Sequence, residues 1–473
     1  MAGSPGEELL SRKQFEDPKW AASQALTLDF NYCMGEFLGA PGLEAGELEG
    51  LAPRLAEAHQ EIAAARRNGD LAFMELPYQT AALANIRQVA KPLLEWCWEF
   101  VVLGSGGAAL GAKALHQALC PPQYNRFPMA RRHHRPALWV LDSIDPDYFY
   151  GMLDGLELRR TAFNVISKSG STAETLAQFL FTYHLLKGRL GAAKARERFV
   201  ITTDWEQENL RSLADQEEFP VLFVPTQVEE RFSLLSPVGL LPAVMIGVDL
   251  EELLAGARFM DQRLQSPEYQ NNPALCLAAL FYLFSLKARN ILVIMPYATA
   301  LTGMADWFCQ LWAGTTPVRA VGATDQHSQL QLYLEGPQDK LITFLEVGKF
   351  YNRLEIPDLF PEMEDFHYLG GHSLNGLLKA EHTAAAFNLR QASRPNLTIH
   401  LPEINAFTIG QLIYLLEVTT VAAASLWGVN PFNQPGVEGG KQTTYGLLGR
   451  PGFEAQKREM EEGPAKMEKY RIF

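Results

Sequence analysis

Cysteine is scarce in this sequence, and its few copies do not follow the spacing of a disulfide or zinc framework. Among 473 residues there are 5 cysteines, an odd number, and none forms a Cys-x-x-Cys pair. Secreted disulfide scaffolds are dense in cysteine, and structural zinc sites use closely spaced pairs. We therefore expect a reduced, cytoplasmic protein without a metal site.

Positive charge is in the minority. The chain carries 41 lysines and arginines against 54 aspartates and glutamates, for a formal net charge of -13. General nucleic-acid binding needs a basic surface that neutralises phosphates, so we expect no nucleic-acid partner. We interpret the basic run at 131–135 as a solvated loop, and the overall charge leaves room for a local pocket that binds a small anion.

One stretch is long and apolar enough to need a membrane test. Residues 409–429 are mostly apolar, but they include Gln411 and Glu417, and charge near the centre of a bilayer is costly. Residues 1–18 are polar and acidic and lack the apolar centre of a signal peptide. We therefore interpret 409–429 as a buried helix and expect no membrane attachment.

Short apolar runs of strand length alternate with helical patterns along the chain. This alternation predicts parallel βαβ units and sheets that are covered by helices on both faces, which is an α/β fold. The length favours two sizeable lobes with extensions. The predicted strands are 100–103, 138–141, 162–166, 199–202, 221–224, 291–295, 341–347 and 397–401.

A turn rich in hydroxyl groups follows the predicted strand 162–166 and precedes a helical pattern. It contains Ser167, Ser169, Ser171 and Thr172. The free N–H groups and the positive dipole at a helix start favour an anion, and hydroxyls add hydrogen bonds, as in a phosphate site. The same residues also suit an ordinary helix cap with Glu174 in the first turn, and this stretch alone leaves both interpretations open.

A glycine-rich turn after the strand 100–103 also has two interpretations. Gly104-x-Gly106-x-x-Ala109, with Asp142 closing the next strand, satisfies a loose dinucleotide-binding fingerprint and would suit a nicotinamide-dependent oxidoreductase. The alternative is a second anion-facing turn of a sugar-phosphate site, next to the turn at 167–172.

Three later stretches bear on these alternatives. They read Arg-Phe-Ser-Leu-Leu-Ser-Pro-Val-Gly-Leu-Leu-Pro at 231–242, Gly-Ala-Thr-Asp-Gln-His-Ser-Gln-Leu-Gln at 322–331, and Asn-Pro-Phe-Asn-Gln-Pro-Gly-Val-Glu-Gly-Gly-Lys at 430–441. Together with Ser-Lys-Ser-Gly-Ser-Thr at 167–172, they closely resemble the glucose-6-phosphate isomerase family in its shorter bacterial form. The resemblance runs from about residue 75 to about residue 450.

The resemblance implies two αβα sandwich sugar-isomerase domains with mainly parallel sheets, a homodimer with a shared active site, and no cofactor. The implied reaction interconverts glucose 6-phosphate and fructose 6-phosphate by ring opening and an enediol intermediate. The implied division is an N-terminal tail and helical extension, the first domain, the second domain, and an active-site loop with a C-terminal helical arm, at 1–70, 71–241, 242–430 and 431–473.

The family's functional residues carry over to matching positions. His327 and Lys441 match the ring-opening groups, and in the family the histidine comes from the neighbouring subunit. Arg231 matches the arginine that stabilises the enediolate as it forms. The matching substrate-binding positions are Gly107, Ser167, Ser169, Ser171, Thr172 and Gln310.

The sequence departs from the family pattern where the proton-transferring glutamate is expected. The segment Glu-Ser-x-Gly-Lys is missing after Ala313, and Gly314 stands in the place of the glutamate. Loss of a positioned base typically lowers the rate by about 10²–10⁴. The smaller departures are Glu229-Glu230 for a glycine pair, Ala108 for a serine that touches substrate, and Asn433 for an aspartate.

Three interpretations of these departures stay open. In the first, the chain is an isomerase that recruits another acid, and Glu335 and Glu438 are nearest in sequence to matched residues. In the second, it is a sugar-phosphate-binding relative with weak or no turnover. In the third, the sequence has lost a segment or acquired errors. Glu229 and Glu230 would repel a phosphorylated sugar unless they turn outward. Because most matched positions are kept, the predicted function is the isomerase.

Overall fold

Strands and helices alternate along the chain as the sequence pattern predicts. A computed structural model describes residues 14–206 and 208–472. The strands are β1 (Thr27–Asp29), β2 (Glu99–Leu103), β3 (Ala137–Leu141), β4 (Thr161–Ile166), β5 (Phe199–Asp204), β6 (Val221–Val224), β7 (Ile291–Pro296), β8 (Thr316–Arg319), β9 (Lys340–Lys349) and β10 (Asn396–Glu403). The helices are α1 (Pro18–Ser23), α2 (Gly35–Leu38), α3 (Ala45–Asn68), α4 (Thr80–Trp96), α5 (Gly107–Leu119), α6 (Pro146–Asp154), α7 (Ala173–Leu190), α8 (Ala192–Arg196), α9 (Glu208–Glu217), α10 (Pro237–Met245), α11 (Leu250–Arg263), α12 (Pro273–Leu286), α13 (Thr302–Leu311), α14 (Gln326–Glu335), α15 (Glu364–His367), α16 (Leu374–Gln391), α17 (Ala406–Trp427), α18 (Pro435–Leu447) and α19 (Glu454–Glu462).

The chain divides into two compact units, Met1–Val429 and Asn430–Phe473. Both sheets lie in the first unit, and the second unit contains α18 and α19. The domain boundary predicted between 241 and 242 lies inside α10 and stays a prediction.

The first sheet is parallel throughout, with the strand order β3-β2-β4-β5-β6. Every residue of β4 and β5 is buried, as expected where helices cover both faces of a parallel sheet. All of its strands coincide with predicted ones, so the predicted α/β class is confirmed for this half of the fold.

The second sheet has the strand order β1-β10-β9-β7-β8. Its strands are parallel except for β1, which pairs antiparallel with β10. The sequence did not predict β1 or β8. β1 has only three residues, and β8 is a partly exposed edge strand without a continuous apolar run.

An aromatic cluster anchors α7 on the first sheet. Phe179 on α7 packs edge-on against Phe199 on β5, with ring centroids 5.3 Å apart, and Phe163 on β4 stacks on Phe199 at 5.4 Å. All three side chains are buried. This packing fixes the start of α7 at the carboxyl end of β4, which is where the hydroxyl-rich turn lies.

The apolar segment at 409–429 forms most of α17, which is long and apolar enough to cross a membrane by length and composition. Of its most apolar 18-residue window, 94% is buried within the fold. A mostly buried helix of this kind is typical of a protein core, so the interpretation as a buried helix is confirmed.

Candidate functional site

The hydroxyl-rich turn between β4 and α7 is closed by hydrogen bonds among its own side chains. Ser167 Oγ and Thr172 Oγ1 are 3.0 Å apart, and Ser171 Oγ donates to Ser169 Oγ at 3.2 Å. Gly170 has a φ of 60°, a left-handed conformation that glycine adopts without a Cβ penalty. The structure therefore brings the predicted phosphate-binding hydroxyls together in one turn.

The start of α7 does not have the side-chain cap that the alternative interpretation expects. Thr172 occupies the N-cap position without making a capping hydrogen bond in the described structure, because its hydroxyl faces Ser167 and Ser169. In the first turn of α7 the Thr175 hydroxyl is buried and has no hydrogen-bond partner among the described residues. N–H groups left uncapped at a helix start favour an anion, so this geometry supports the phosphate site.

The glycine turn lies next to the hydroxyl-rich turn. β2 and β4 are neighbouring parallel strands with Leu103 opposite Val165, so their carboxyl ends meet at one edge of the first sheet. Ligands of parallel α/β sheets bind at this edge. Gly106 has a φ of 57°, and α5 begins at the next residue.

Gly107 allows a second loop to approach the start of α5. A Cβ atom on Gly107 would lie 2.5 Å from the carbonyl oxygen of Glu230. The short 3-10 turn Glu230–Phe232 therefore packs here only because residue 107 has no side chain. The turn is held by the buried Phe232, whose ring centroid is 4.8 Å from that of Phe73.

The two glutamates that replace the family's glycine pair contact the loops of the site. Lys168 Nζ, in the hydroxyl-rich turn, lies 3.5 Å from Glu229 Oε1. The backbone N–H of Ala108 donates to Glu230 Oε1 at 3.3 Å. Lys168 and the N-terminus of α5 thus offset part of the negative charge of Glu229 and Glu230, which was expected to repel a phosphorylated sugar.

Arg231 lies between these glutamates and the buried Phe232. Only 7% of Arg231 is exposed. Burial lowers the pKa of its guanidinium, and the neighbouring Glu229 carboxylate opposes that effect. A guanidinium is so strongly basic that it stays charged in proteins at neutral pH. The site therefore holds a buried cation, as the predicted role requires.

Gln310 is brought to the glycine turn by α13, which packs on α5. A Cβ atom on Gly106 would lie 3.9 Å from Gln310 Nε2 and 3.7 Å from Glu230 Oε1. Gln310 Oε1 is buried and has no hydrogen-bond partner among the described residues. A buried carbonyl oxygen of this kind suits a donor from a ligand, such as a sugar hydroxyl.

A short, closed turn stands where the family's glutamate segment is expected. Leu311 ends α13, and Thr316 begins β8. A side chain at Gly314 would collide with the ring of Trp427, and Trp312 packs edge-on against the same ring at 5.7 Å. The turn therefore has no room for an acidic side chain at Gly314.

His327 follows a strand of the second sheet, whereas the hydroxyl-rich turn follows β4 of the first sheet. It lies near the start of α14, after β8 of the second sheet, and its side chain is exposed.

Lys441 lies in the second unit, on α18. Its Nζ lies 2.7 Å from Glu438 Oε1 on the same helix. Glu438, one of the two acids nearest in sequence to matched residues, is therefore ion-paired. The other, Glu335, ends α14 and accepts a hydrogen bond from Gln331 at 2.9 Å.

The geometry favours a sugar-phosphate turn over a dinucleotide site. Asp142, the candidate ribose ligand, is paired with Lys113 at 2.6 Å. Glu230 occupies the helix start where a pyrophosphate would bind. In the described part of the chain, no group of three or more histidine, cysteine, aspartate or glutamate side chains could hold a metal ion.

A family model described as phosphoglucose isomerase matches residues 95–317 and 375–460, which is more than half of the chain. The matched ranges include the hydroxyl-rich turn, Arg231, Gln310 and Lys441, whereas His327 lies between them.

From the sequence, Glu230 was expected only to repel a phosphorylated sugar. Its contact with Ala108 spans 122 positions and has no local signal in the sequence.

Two curated relatives cover nearly the whole chain. A glucose-6-phosphate isomerase of Carboxydothermus hydrogenoformans is 42% identical over 453 residues, covering 92% of this chain and 97% of the relative. One of Rubrobacter xylanophilus is 43% identical over 424 residues, covering 88% of this chain and 96% of the relative.

Among solved structures, a hypothetical protein of Thermus thermophilus has a TM-score of 0.80 at 35% identity, covering 90% of this chain and 100% of that one. A glucose-6-phosphate isomerase of Chlamydia trachomatis shares the fold, with a TM-score of 0.67 at 19% identity over 96% and 87% of the two chains. The chain described here belongs to the phosphoglucose isomerase family.

Proposed function

We propose that this chain is an aldose–ketose isomerase that interconverts glucose 6-phosphate and fructose 6-phosphate, a step of glycolysis and gluconeogenesis. One observation carries the proposal: an uncapped, hydroxyl-lined helix start lies beside a glycine turn, which is approached by Gln310 and by the turn Glu230–Phe232 that contains Arg231. This arrangement occurs in a chain whose relatives at 42% identity are named for that reaction.

The residues of the first unit have complementary tasks in this reaction. The hydroxyls at 167–172 and the first N–H groups of α7 bind the phosphate group. Gln310 Oε1 accepts a hydrogen bond from a sugar hydroxyl. The buried Arg231 stabilises negative charge on the enediolate, where a preorganised cation away from water is most effective.

Ring opening is the task of His327 and Lys441. Opening the hemiacetal needs a proton donor and acceptor near the ring oxygen and O1, and imidazole and ammonium groups serve that purpose. The family pattern supports this pairing, with the histidine supplied by a second copy of the chain.

We assign a homodimer with a shared active site. The exposed side chain of His327 supports this assignment, and so does a run of exposed large apolar side chains. Clustered exposed apolar groups mark interaction surfaces. They are Tyr351, Leu354, Leu359, Phe360, Met363, Phe366 and Tyr368.

The same family resemblance supports a cytoplasmic enzyme that needs no metal or nucleotide cofactor. The competing interpretation, a weakened or inactive binding relative, gains no support from relatives that are named as isomerases. It makes a different prediction, namely that fructose 6-phosphate stabilises the protein without being converted.

The test is a coupled assay in which glucose 6-phosphate formed from fructose 6-phosphate is oxidised and the reduced nicotinamide is measured. Purified protein treated with EDTA is expected to show turnover well above a mock preparation from cells with the empty vector. A rate equal to that of the mock preparation would rule out the enzyme.

A further inference from the structure

The proposed isomerase needs a carboxylate that its expected position does not supply. Isomerisation moves a proton between C2 and C1, and Gly314 stands where the family has its glutamate. The turn around Gly314 is sealed by Trp427, so no side chain there substitutes for the missing one. The acid must come from elsewhere in the site.

We infer that Glu230 is the proton carrier of this isomerase, an inference that rests on the proposed function. The Glu230 carboxylate is already at the site: the same point, the Cβ position of Gly106, is 3.7 Å from Glu230 Oε1 and 3.9 Å from Gln310 Nε2. The Glu230 carboxylate and the Gln310 side chain therefore both border the glycine turn, where the sugar is proposed to bind.

The surroundings of Glu230 suit a base. The Ala108 N–H donates to Oε1 at the start of α5, where the helix dipole stabilises negative charge. A carboxylate has two oxygens and about four lone-pair positions, so accepting this N–H is compatible with holding a proton. Next in sequence is the buried Arg231, which is placed to stabilise the enediolate while the carboxylate holds the proton.

The backbone of Glu230 is rigidly placed. Its carbonyl oxygen accepts a hydrogen bond from Ser233 Oγ at 2.6 Å and rests against Gly107, which has no side chain. The neighbouring Phe232 is buried in the core. A base held on a fixed turn keeps the short distances that proton transfer requires.

The proton transfer balances without any co-reactant. Glu230 takes the proton from C2 of the open-chain aldose as the C1–C2 double bond forms. The carbonyl oxygen O1 becomes a hydroxyl, and O2 gives up its hydroxyl proton, which passes to O1 directly or is released to solvent while O1 takes a solvent proton. The resulting carboxylic acid returns its proton to C1 as O2 becomes the carbonyl of the ketose. The carboxylate is regenerated, and no electrons leave the sugar.

Other acids of the chain are less suited to this role. Glu229 is paired with Lys168, and Glu438 is paired with Lys441. Glu335 ends α14, which follows a strand of the second sheet. Of these carboxylates, Glu230 is the one with a defined contact to the glycine turn and the start of α5, through the Ala108 N–H.

The experiment compares Glu230→Gln with the wild-type chain in the coupled assay, alongside thermal stabilisation by fructose 6-phosphate. We expect kcat to fall by about 10²–10⁴, the usual effect of losing a positioned base, while stabilisation by fructose 6-phosphate is retained. Glu230→Asp, which keeps the acid on a shorter side chain, is expected to recover part of kcat. The acidic limb of the pH profile should be present with aspartate and absent with glutamine.

The matched control is Glu47→Gln, which removes a carboxylate that also accepts a backbone N–H at a helix start, here at 2.8 Å on α3. Its kcat should stay within about twofold of the wild-type value, as for most surface changes. A Glu230→Gln protein that binds substrate and keeps wild-type kcat would overturn the inference alone. A Glu230→Asp protein that folds, binds and is no more active than Glu230→Gln counts against it as well. Absence of turnover by the wild-type chain overturns both the proposed function and the inference.

Discussion

Residue 107 has no space for a side chain. A Cβ atom there would lie 2.5 Å from Glu230 O and 3.1 Å from Glu230 Cγ, so a backbone segment would have to move. Forced overpacking of this kind typically costs about 1–3 kcal/mol. Gly107→Ala should therefore lower the free energy of unfolding by that amount and reduce kcat, because it displaces Glu230; chemical denaturation and the coupled assay measure the two effects.

The control for this prediction is Gly188→Ala, since a Cβ on Gly188 within α7 meets no atom within 4 Å. It should leave stability unchanged or raise it by up to about 1 kcal/mol, because alanine favours the helix. If Gly107→Ala and Gly188→Ala unfold at the same denaturant concentration, the close approach at residue 107 is wrong.

On the proposed function, Glu229 would compete with the phosphate of the substrate for Lys168. Their charged atoms are 3.5 Å apart, and the Glu229 side chain is 43% exposed, so the pair is weakened by water and salt. Glu229→Gln should release Lys168 toward the phosphate and lower KM for fructose 6-phosphate by about twofold to fivefold at low ionic strength. Initial rates at two salt concentrations test this, and a raised KM would contradict it.

At the scale of elements, α17 carries a carboxyl group that folding leaves without a partner. Glu417 is fully buried, and neither carboxyl oxygen has a hydrogen-bond partner among the described residues. Burial raises the pKa of Glu417 well above its ordinary value. The folded chain then keeps a proton that the unfolded chain releases, so stability falls as pH rises above the unfolded pKa.

Glu417→Gln removes this pH dependence without changing the size of the side chain. The variant should match the wild type near pH 4 and become more stable relative to it as pH rises, by about 1.4 kcal/mol per pH unit up to the folded pKa of Glu417. Melting temperatures from pH 5 to 8 measure the gain. The exposed Glu57→Gln on α3 should give no such trend, and a gain that shrinks with rising pH would contradict the account of α17.

The sequence predicted the elements whose residues carry a local pattern. The strands β2, β4 and β9 are apolar runs, and α17 is a long apolar segment, so composition alone located them. The short β1 depends on pairing with β10, which lies more than 360 positions away in the sequence. No local sequence pattern predicts a partner at that distance. Likewise, the hydroxyl-rich turn could be predicted from adjacent letters, whereas the placement of Glu230 beside Gly107 depends on tertiary packing.

At the scale of the whole molecule, the account predicts active sites assembled from two chains. His327→Ala and Lys441→Ala should each be nearly inactive as pure proteins. When they are mixed in equal amounts after dissociation and reassociation, half of the dimers are mixed and each has one intact site, so about a quarter of wild-type activity should return.

Two further mixtures test which residues of a site come from the same chain. A mixture of His327→Ala with Arg231→Ala should recover activity to the same extent, if the histidine is the residue that the second chain contributes to each site. A mixture of Lys441→Ala with Arg231→Ala should stay inactive. Recovery in that last mixture would contradict the proposed assignment of both groups to the same chain.

The most direct test of the central claim is NMR of fructose 6-phosphate incubated with the purified wild-type chain in D₂O. We predict the appearance of glucose 6-phosphate carrying deuterium at C2 and, on longer incubation, deuterium at C1 of the remaining fructose 6-phosphate, because the proton carrier exchanges with solvent. A spectrum with no glucose 6-phosphate and no deuterium at either carbon, from protein that fructose 6-phosphate still stabilises against heat, would contradict the account.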